Sequence, residues 1–407
     1  MKRSFSSFKH IFLISIVSLV FVIFVFIKPK FLKNNKSKEF LQEALTMQLP
    51  NHIKNKNDIS CLIADLKYDG NSVKILELGN LIFSNLPSHE FLWGDFVIWK
   101  RFYKYLEKFG LPLWCIGTIT NTKRASYTAF KRLTDLGAKP YKNITHVIRD
   151  PYFRKLFVEN EHAEYTTLEN YNAILACNKY SDLKYRGITE NMPGFLFLND
   201  VVHAYANEKQ KLAMLCHNDT LAEFRPQWKL YNKNYSKKLV ESIKQDFDSD
   251  ILVIKPPIST IGRGVIIVHK NDLEKTLETI LTKKEHIKNM KDRSFSHWAH
   301  DGGKTFLVES FEHSKPITIE QKEYDPKMRV VFILSCNNRI ITLKFIGSYW
   351  LSPEYPIDTQ VTLNKKHKSS MNGHRMKVSQ HDAKHVQEIL SSVLPAMYIK
   401  MIENSNT

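Results

Sequence analysis

The stretch from Asp250 to Lys270, DILVIKPPISTIGRGVIIVHK, holds the residues whose types and spacing are best suited to chemistry. An apolar run ends on Lys255, a turn bearing Gly262 and Gly264 follows, and a second apolar run leads away. A lysine at a strand end neutralises phosphate charge, and glycines let backbone N–H groups approach phosphate oxygens with no side chain between. As a plain hairpin the same glycines would only reverse the chain; with the strand-end lysine they make a nucleotide-binding geometry. No GxxxxGK[ST] opens a helix and no GxGxxG occurs here, so neither the P-loop nor the dinucleotide fingerprint applies.

Three further segments fall in order around this one. Upstream lies ENMPGFLFLNDVVHAYANEKQK, with Asn191, Pro193, Glu208 and Lys209; downstream lie KTFLVESF, ending at Phe311, and EYDPKMRVVFIL, with Asp325 and Arg329. Over roughly Thr189 to Phe345 the set resembles the ATP-grasp superfamily. The resemblance implies ATP and Mg2+ as cofactors and a ligase that activates a carboxylate and joins it to an amine. It makes Lys209 the first phosphate lysine, Lys255 the second, and Gly262 and Gly264 part of a loop over the phosphates. It further implies that backbone groups of Glu309 to Phe311 read the adenine edge, that Glu312 takes the ribose hydroxyls, and that Arg329, with Asp325, stabilises the transferred phosphoryl group. Lys365, Lys366, His367 and Lys368, after Asn364, would face the γ-phosphate; as a bland alternative they are a solvated charge run.

One part of the family pattern is missing. ATP-grasp proteins usually close with a strand pair whose aspartate and Glu-x-Asn hold magnesium, whereas this chain ends in an apparent helix from His381 onward, with Glu403 and Asn404 near its tail. The N-terminal segment IADLKYDGNSVKILELGN carries Asp65 and Glu77 twelve residues apart and is similar to the missing element. A circular permutation would put Asp65 and Glu77 at the metal, although Gly79 stands where the family has its asparagine and Asn80 comes one place later. The alternative is a surface hairpin with ordinary carboxylates.

The elements that must position these residues can be read from periodicity. CLIADLKYDG and SVKILELGN predict a hairpin around Asp69-Gly70. Aromatics three and four apart predict one helix from Phe91 to Phe109, ended by Gly110. LPLWCIG predicts a buried strand, and Ala125 to Leu136 a helix stopped by Gly137. Alternating strands and helices give an α/β (α+β) class, and the resemblance adds a two-lobe ATP-grasp fold. The expected divisions are 1–27 tail and anchor, 28–58 basic linker, 59–188 an N-terminal α/β domain, and 189–407 the ATP-grasp-like domain.

The anchor is the uncharged run Ile11 to Ile27, IFLISIVSLVFVIFVFI. At about 1.5 Å per residue it nearly spans a hydrocarbon core of about 30 Å, and no small-x-small cleavage site follows. More lysines follow it than precede it, which predicts a single-pass membrane protein with a cytoplasmic body. Lys and Arg number 59 against 41 Asp and Glu, a net charge of +18, which draws phosphates, anionic lipid or nucleic acid alike. A nucleic-acid binder would need a basic aromatic platform, but the tryptophans sit in apolar stretches. Five scattered cysteines without a CxxC pair suggest neither zinc nor a disulfide framework. Two competing readings remain: a basic membrane-tethered module without catalysis, and a type II membrane glycosyltransferase. The glycosyltransferase reading has its topology and the DxD patterns of Asp246, Asp248 and Asp250 in favour, and Asn143, Asn218 and Asn234 open sequons.

Overall fold

The computed structural model describes residues 39–80, 87–116, 131–141, 151, 167–177, 194–217, 220–259, 262–369 and 372–405. The first strands are β1 (Leu45–Gln48), β2 (Asp58–Tyr68) and β3 (Val73–Asn80). β2 and β3 form the expected hairpin. Asp69 closes its turn by accepting the backbone N–H groups of Asn71 and Ser72 at 2.8 and 2.7 Å.

The single helix predicted from Phe91 to Phe109 is instead two, Pro87–Trp93 and Val97–Glu107. Gly94 at φ 108° and Phe96 at φ 62° interrupt it, because a positive φ cannot continue a right-handed helix. The second helix still buries the expected stripe through Ile98, Trp99, Phe102 and Leu106. Next come β4 (Leu113–Ile116), the predicted buried strand, then β5 (Lys139–Tyr141), β6 (Ala173–Cys177) and β7 (Phe195–Phe197). They make a parallel sheet in the order β5-β4-β6-β7.

A separate antiparallel sheet, ordered β10-β9-β11-β8, is built from β8 (Trp228–Asn232), β9 (Ile251–Lys255), β10 (Ile266–His269) and β11 (Thr305–Ser310). Leu252, Ile254, Phe306 and Val308 point to one face of it and pack against Ile243, Leu277 and Trp298 of the covering helices. Those helices have sequence-encoded starts: Ser236 caps Lys237–Asp246 by accepting from Leu239 N at 3.1 Å, and Asp292 caps Arg293–His300 by accepting from Ser294 N at 2.8 Å.

The chain continues through β12 (Ile317–Ile319), β13 (Lys322–Tyr324), β14 (Lys327–Asn337), β15 (Ile340–Leu351) and β16 (Arg375–Met376) to the helix Gln380–Ser405. The largest sheet runs β1-β15-β14-β2-β3, with β16 on β15. β2 lies inside it and is buried along its length, so both of its faces are covered. Leu62, Ala64 and Leu66 join one core with Val330, Phe332 and residues of the C-terminal helix. Ile59, Cys61 and Ile63 join another with Val331, Ile333 and the Val97–Glu107 helix.

Two expectations are corrected. Residues 39–58, read as the end of a solvated linker, are folded: β1 pairs with β15, Leu49 and Ile53 are buried, and Glu39 accepts from Arg101 at 2.6 Å and from Ser348 N at 2.7 Å. Leu45, Met47 and Leu49 alternate, but over too short a run to stand out from the Lys- and Asn-rich stretches on either side. β2, grouped with the N-terminal portion, pairs with β14 on one side and with β3 on the other, so the main sheet draws on both sides of the division expected at residue 188. Among the described residues no helix is long and apolar enough to cross a membrane. The apolar run 11–27, with Asn143, Asn191, Pro193 and Asn218, lies outside the described residues.

Asp58, at the start of β2, is fully buried and accepts from Ser60 at 2.6 Å, Tyr398 at 2.5 Å and Val201 N at 3.3 Å. Burial pushes its carboxyl up to about 6 despite these donors. As pH rises from about 4 through about 6 the unfolded chain releases the proton first, so this group removes about 3 kcal/mol of stability over that interval. The stability of Asp58→Asn relative to the parent should therefore improve by about 3 kcal/mol between pH 4 and pH 7. Urea titrations at both pH values check this, and a pH-independent difference would contradict it.

Candidate phosphate-binding cleft

Strand alternation decides where the charged side chains go. On the face of β2 that carries Ile59, Cys61 and Ile63, the next alternate positions are Asp65 and Lys67; on the matching face of β14, Val331 and Ile333 give way to Arg329 and Lys327. One sheet face thus begins apolar and ends as a patch of four charges. In the other sheet, Lys255 and Glu309 project from the face opposite the helix-covered core.

The two charged faces meet. Arg225, 2% exposed, donates to Glu309 at 2.8 Å and to the carbonyls of Ile75 and Leu76 in β3 at 2.7 and 2.8 Å. Glu309 also binds Lys255. Lys209, at the start of the helix Lys209–Leu215, donates to the carbonyl of Ser259 and, at 3.0 Å, to its hydroxyl, and lies 3.8 Å from Glu77. Burial depresses the Lys209 ammonium, and the nearby charges of Lys255 and Lys327 act in the same direction while Glu77 opposes them. A cluster of cations short of negative partners is the electrostatic condition for holding phosphate.

Asp65 and Glu77 are cross-strand partners, at a register shift between Asp65 and Leu66 that leaves Leu76 as the extra residue. Like charges directly opposite repel, so each needs cations. Arg329 grips Asp65 with two bonds, at 2.6 and 2.8 Å, and Lys327 binds it as well. Burial alone would raise the Asp65 carboxyl; Arg329 and then Lys327 bring it well below the usual carboxylate range. Asp65 is therefore a locked anion. Glu77, with 35% of its side chain exposed, is the carboxylate open to an incoming ion.

The glycine turn is held from behind. Gly264 N donates to Arg293 O at 3.2 Å and Trp298 Nε1 donates to Gly264 O at 2.9 Å. Gly264 has φ 71°, and a Cβ there would meet Pro256 and His297 at 2.7 Å, so only glycine fits. A Cβ on Gly262, φ 64°, would run into the Lys368 side chain at 2.8 Å. Lys368 itself donates to Ser294 at 2.9 Å, and Asn364 accepts from Ile267 N at 2.8 Å, so the helix Leu363–His367 lies on this turn. The basic segment read as facing the phosphates is thereby attached to the loop that would cover them.

Other site readings are corrected. The N–H groups of Ser310 and Phe311 donate to Gln227 O and Ile251 O at 2.8 and 3.0 Å, which leaves them unable to read an adenine edge. Glu309 supplies its carboxylate to Lys255 and Arg225 instead. Glu312 is not among the overturned readings: half-buried, it accepts from Ser310 through one oxygen at 3.1 Å, and its carboxyl is raised by burial. Asp325 does not reach toward phosphates; its oxygens accept from Lys67 at 2.6 Å, Ser314 N at 2.9 Å and His367 at 2.7 Å. The DxD pattern is no open metal loop, since Asp246 accepts from Lys229 at 2.7 Å, Tyr231 at 2.6 Å and Ser242 at 3.3 Å.

The sequence reading missed Arg225, Lys67 and Lys327. The two lysines carried a signal: each stands two residues from Asp65 or Arg329 and so shares its face. Arg225 sits in an irregular stretch ahead of β8, and nothing local marks it.

No protein-family profile matches this sequence, and no curated protein matches it. Among solved structures, a gamma-glutamylcysteine synthetase-like protein from Methylobacillus flagellatus KT aligns with 86% of this chain and 90% of its own, at 12% identity and TM-score 0.43. D-alanyl-alanine synthetase A from Vibrio cholerae covers 70% and 81%, at 10% identity and TM-score 0.33. A RimK domain protein ATP-grasp from Sphaerobacter thermophilus covers 72% and 98%, at 7% identity and TM-score 0.28. At such identities and scores, the functional reading rests on the side chains.

Glu309 is 1% exposed and balances two buried cations. Glu309→Ala should lower the unfolding free energy by about 3–5 kcal/mol, because it strands Lys255 and Arg225 without an anion. Denaturant melts test this; a variant as stable as the parent would refute the linkage.

Proposed function

We propose that this protein is an ATP-dependent ligase of the ATP-grasp kind that activates a carboxylate and joins it to an amine, using Mg2+. The observation that carries the reading is the convergence of Lys209, Lys255 and the Gly262–Gly264 turn on a cleft whose facing strand presents Glu77. Lys209 and Lys255 would bind phosphate oxygens, the turn would cover them, and Glu312 would accept from the ribose. Glu77 fits the magnesium, being a part-exposed carboxylate beside a cationic cluster; Asp65 keeps lone pairs beyond those used by Arg329 and Lys327 and would support it. The ion would supply neutralisation of charge on the phosphates.

The residues then perform a two-step transfer. The substrate carboxylate oxygen attacks the γ-phosphorus, the bond to the β-phosphate oxygen breaks, and ADP leaves with that electron pair. An amine attacks the acyl carbon, inorganic phosphate departs, and the amine gives up a proton. Arg329, held on Asp65, keeps positive charge fixed where the phosphoryl group moves, without reorganisation.

Binding of ATP with Mg2+ to the full chain in detergent micelles should be measurable by calorimetry. Lys255→Ala should weaken it by about 1.5–3 kcal/mol, the range of a charge-assisted hydrogen bond. Glu77→Gln should abolish magnesium-dependent ADP release in a screen of amino acids and peptides while the melting curve stays unchanged. Absence of ATP binding by the parent would end the reading. We also propose that residues 11–27 anchor the chain in a membrane with the body on the cytosolic side, where ATP is available; digestion of the body by protease added only outside sealed cells would overturn that orientation.

A further inference from the structure

From a separate cluster beside the cleft, we infer a binding site for a divalent transition cation of the zinc type, held by His313, Asp325 and His367. The three residues come from three segments: the loop after β11, the residue pair ahead of β14, and the end of the helix Leu363–His367. One ligand atom from each lies within 4.8 Å of the others. Asp325 Oδ2 is 2.7 Å from His367 Nδ1 and 3.6 Å from His313 Nδ1. Nitrogen and oxygen ligands about 2.0–2.2 Å from a tetrahedral ion stand a little over 3 Å apart, so the cluster needs only small side-chain adjustments to close on one.

The carboxylate is already oriented as a ligand. Its other oxygen, Oδ1, accepts from Lys67 Nζ at 2.6 Å and from Ser314 N at 2.9 Å, which turns Oδ2 toward both imidazoles. Ligating carboxylates are typically fixed in this way by hydrogen bonds to the oxygen that does not bind. Asp325 and His367 are buried, while His313 is 61% exposed and leaves a route for the ion and an open coordination position. Phe311 walls the site, its ring centroid 4.7 Å from that of His313 and 4.9 Å from that of His367. Two imidazoles with one carboxylate select zinc, cobalt, nickel or copper over magnesium, so the site is chemically distinct from the Glu77 carboxylate.

The test uses the untagged full chain in detergent micelles with Co2+ as a spectroscopic probe. The expected result is a visible absorption band that saturates at one equivalent, is displaced by Zn2+ and persists in millimolar Mg2+. His313→Ala, a change at an exposed position, should weaken Co2+ binding at least tenfold, and Asp325→Asn should do the same where the variant folds. No saturable band, a band removed by Mg2+, or unchanged affinity in His313→Ala would each overturn the proposal. ATP binding is read in the same samples, so failure of the metal site and failure of the ligase reading are separable.

Discussion

Glu309 sits where two sheets with different cores share a buried ion network, and the cleft depends on it. Its two oxygens take Arg225 on one side and Lys255 on the other. Arg225 continues to the backbone of β3 at the register shift, so one carboxylate ties the sheet carrying the glycine turn to the sheet carrying Asp65 and Glu77. Such networks cost desolvation and contribute stability only when every partner is satisfied, so their value here is positional. Glu309 fixes the distance between cations and carboxylates that a nucleotide would have to bridge.

The same logic applies to Asp65, nearly out of reach of solvent, and to its partly buried partner Arg329. Arg329 and Asp65 are direct register partners, and the bidentate grip holds two side chains that would otherwise flex. With Asp65 immobilised, the exposed Glu77 opposite it inherits a well-defined place. Lys209 adds a third constraint from a helix start, and its buried ammonium faces the same charges.

Much of this was legible in the sequence where local chemistry and period agreed. The β2–β3 hairpin and the strand-turn-strand around Gly262 and Gly264 follow from apolar runs and turn residues, while β11 and β14 were expected from the family resemblance. What stayed hidden was long-range. Arg225 gains its meaning from Ile75 and Glu309, which stand 150 and 84 residues away. The break at Gly94 and Phe96 was masked because aromatics on both sides keep helical spacing across it. The use of Ser310 and Phe311 N–H groups by Gln227 and Ile251 depends on register with β8 and β9, which a family pattern does not state.

The position of β2 also governs how the chain is made. Its partner β14 lies some 264 residues further on, as the Asp65 to Arg329 bond spans. At about 5–20 residues per second, a ribosome takes tens of seconds to reach the second strand after releasing the first. During that time an eleven-residue strand destined for burial on both faces has only β3 beside it, with one edge open. Synthesis therefore passes through a long interval in which this segment needs a chaperone or a nearby surface to keep it from pairing with other nascent chains.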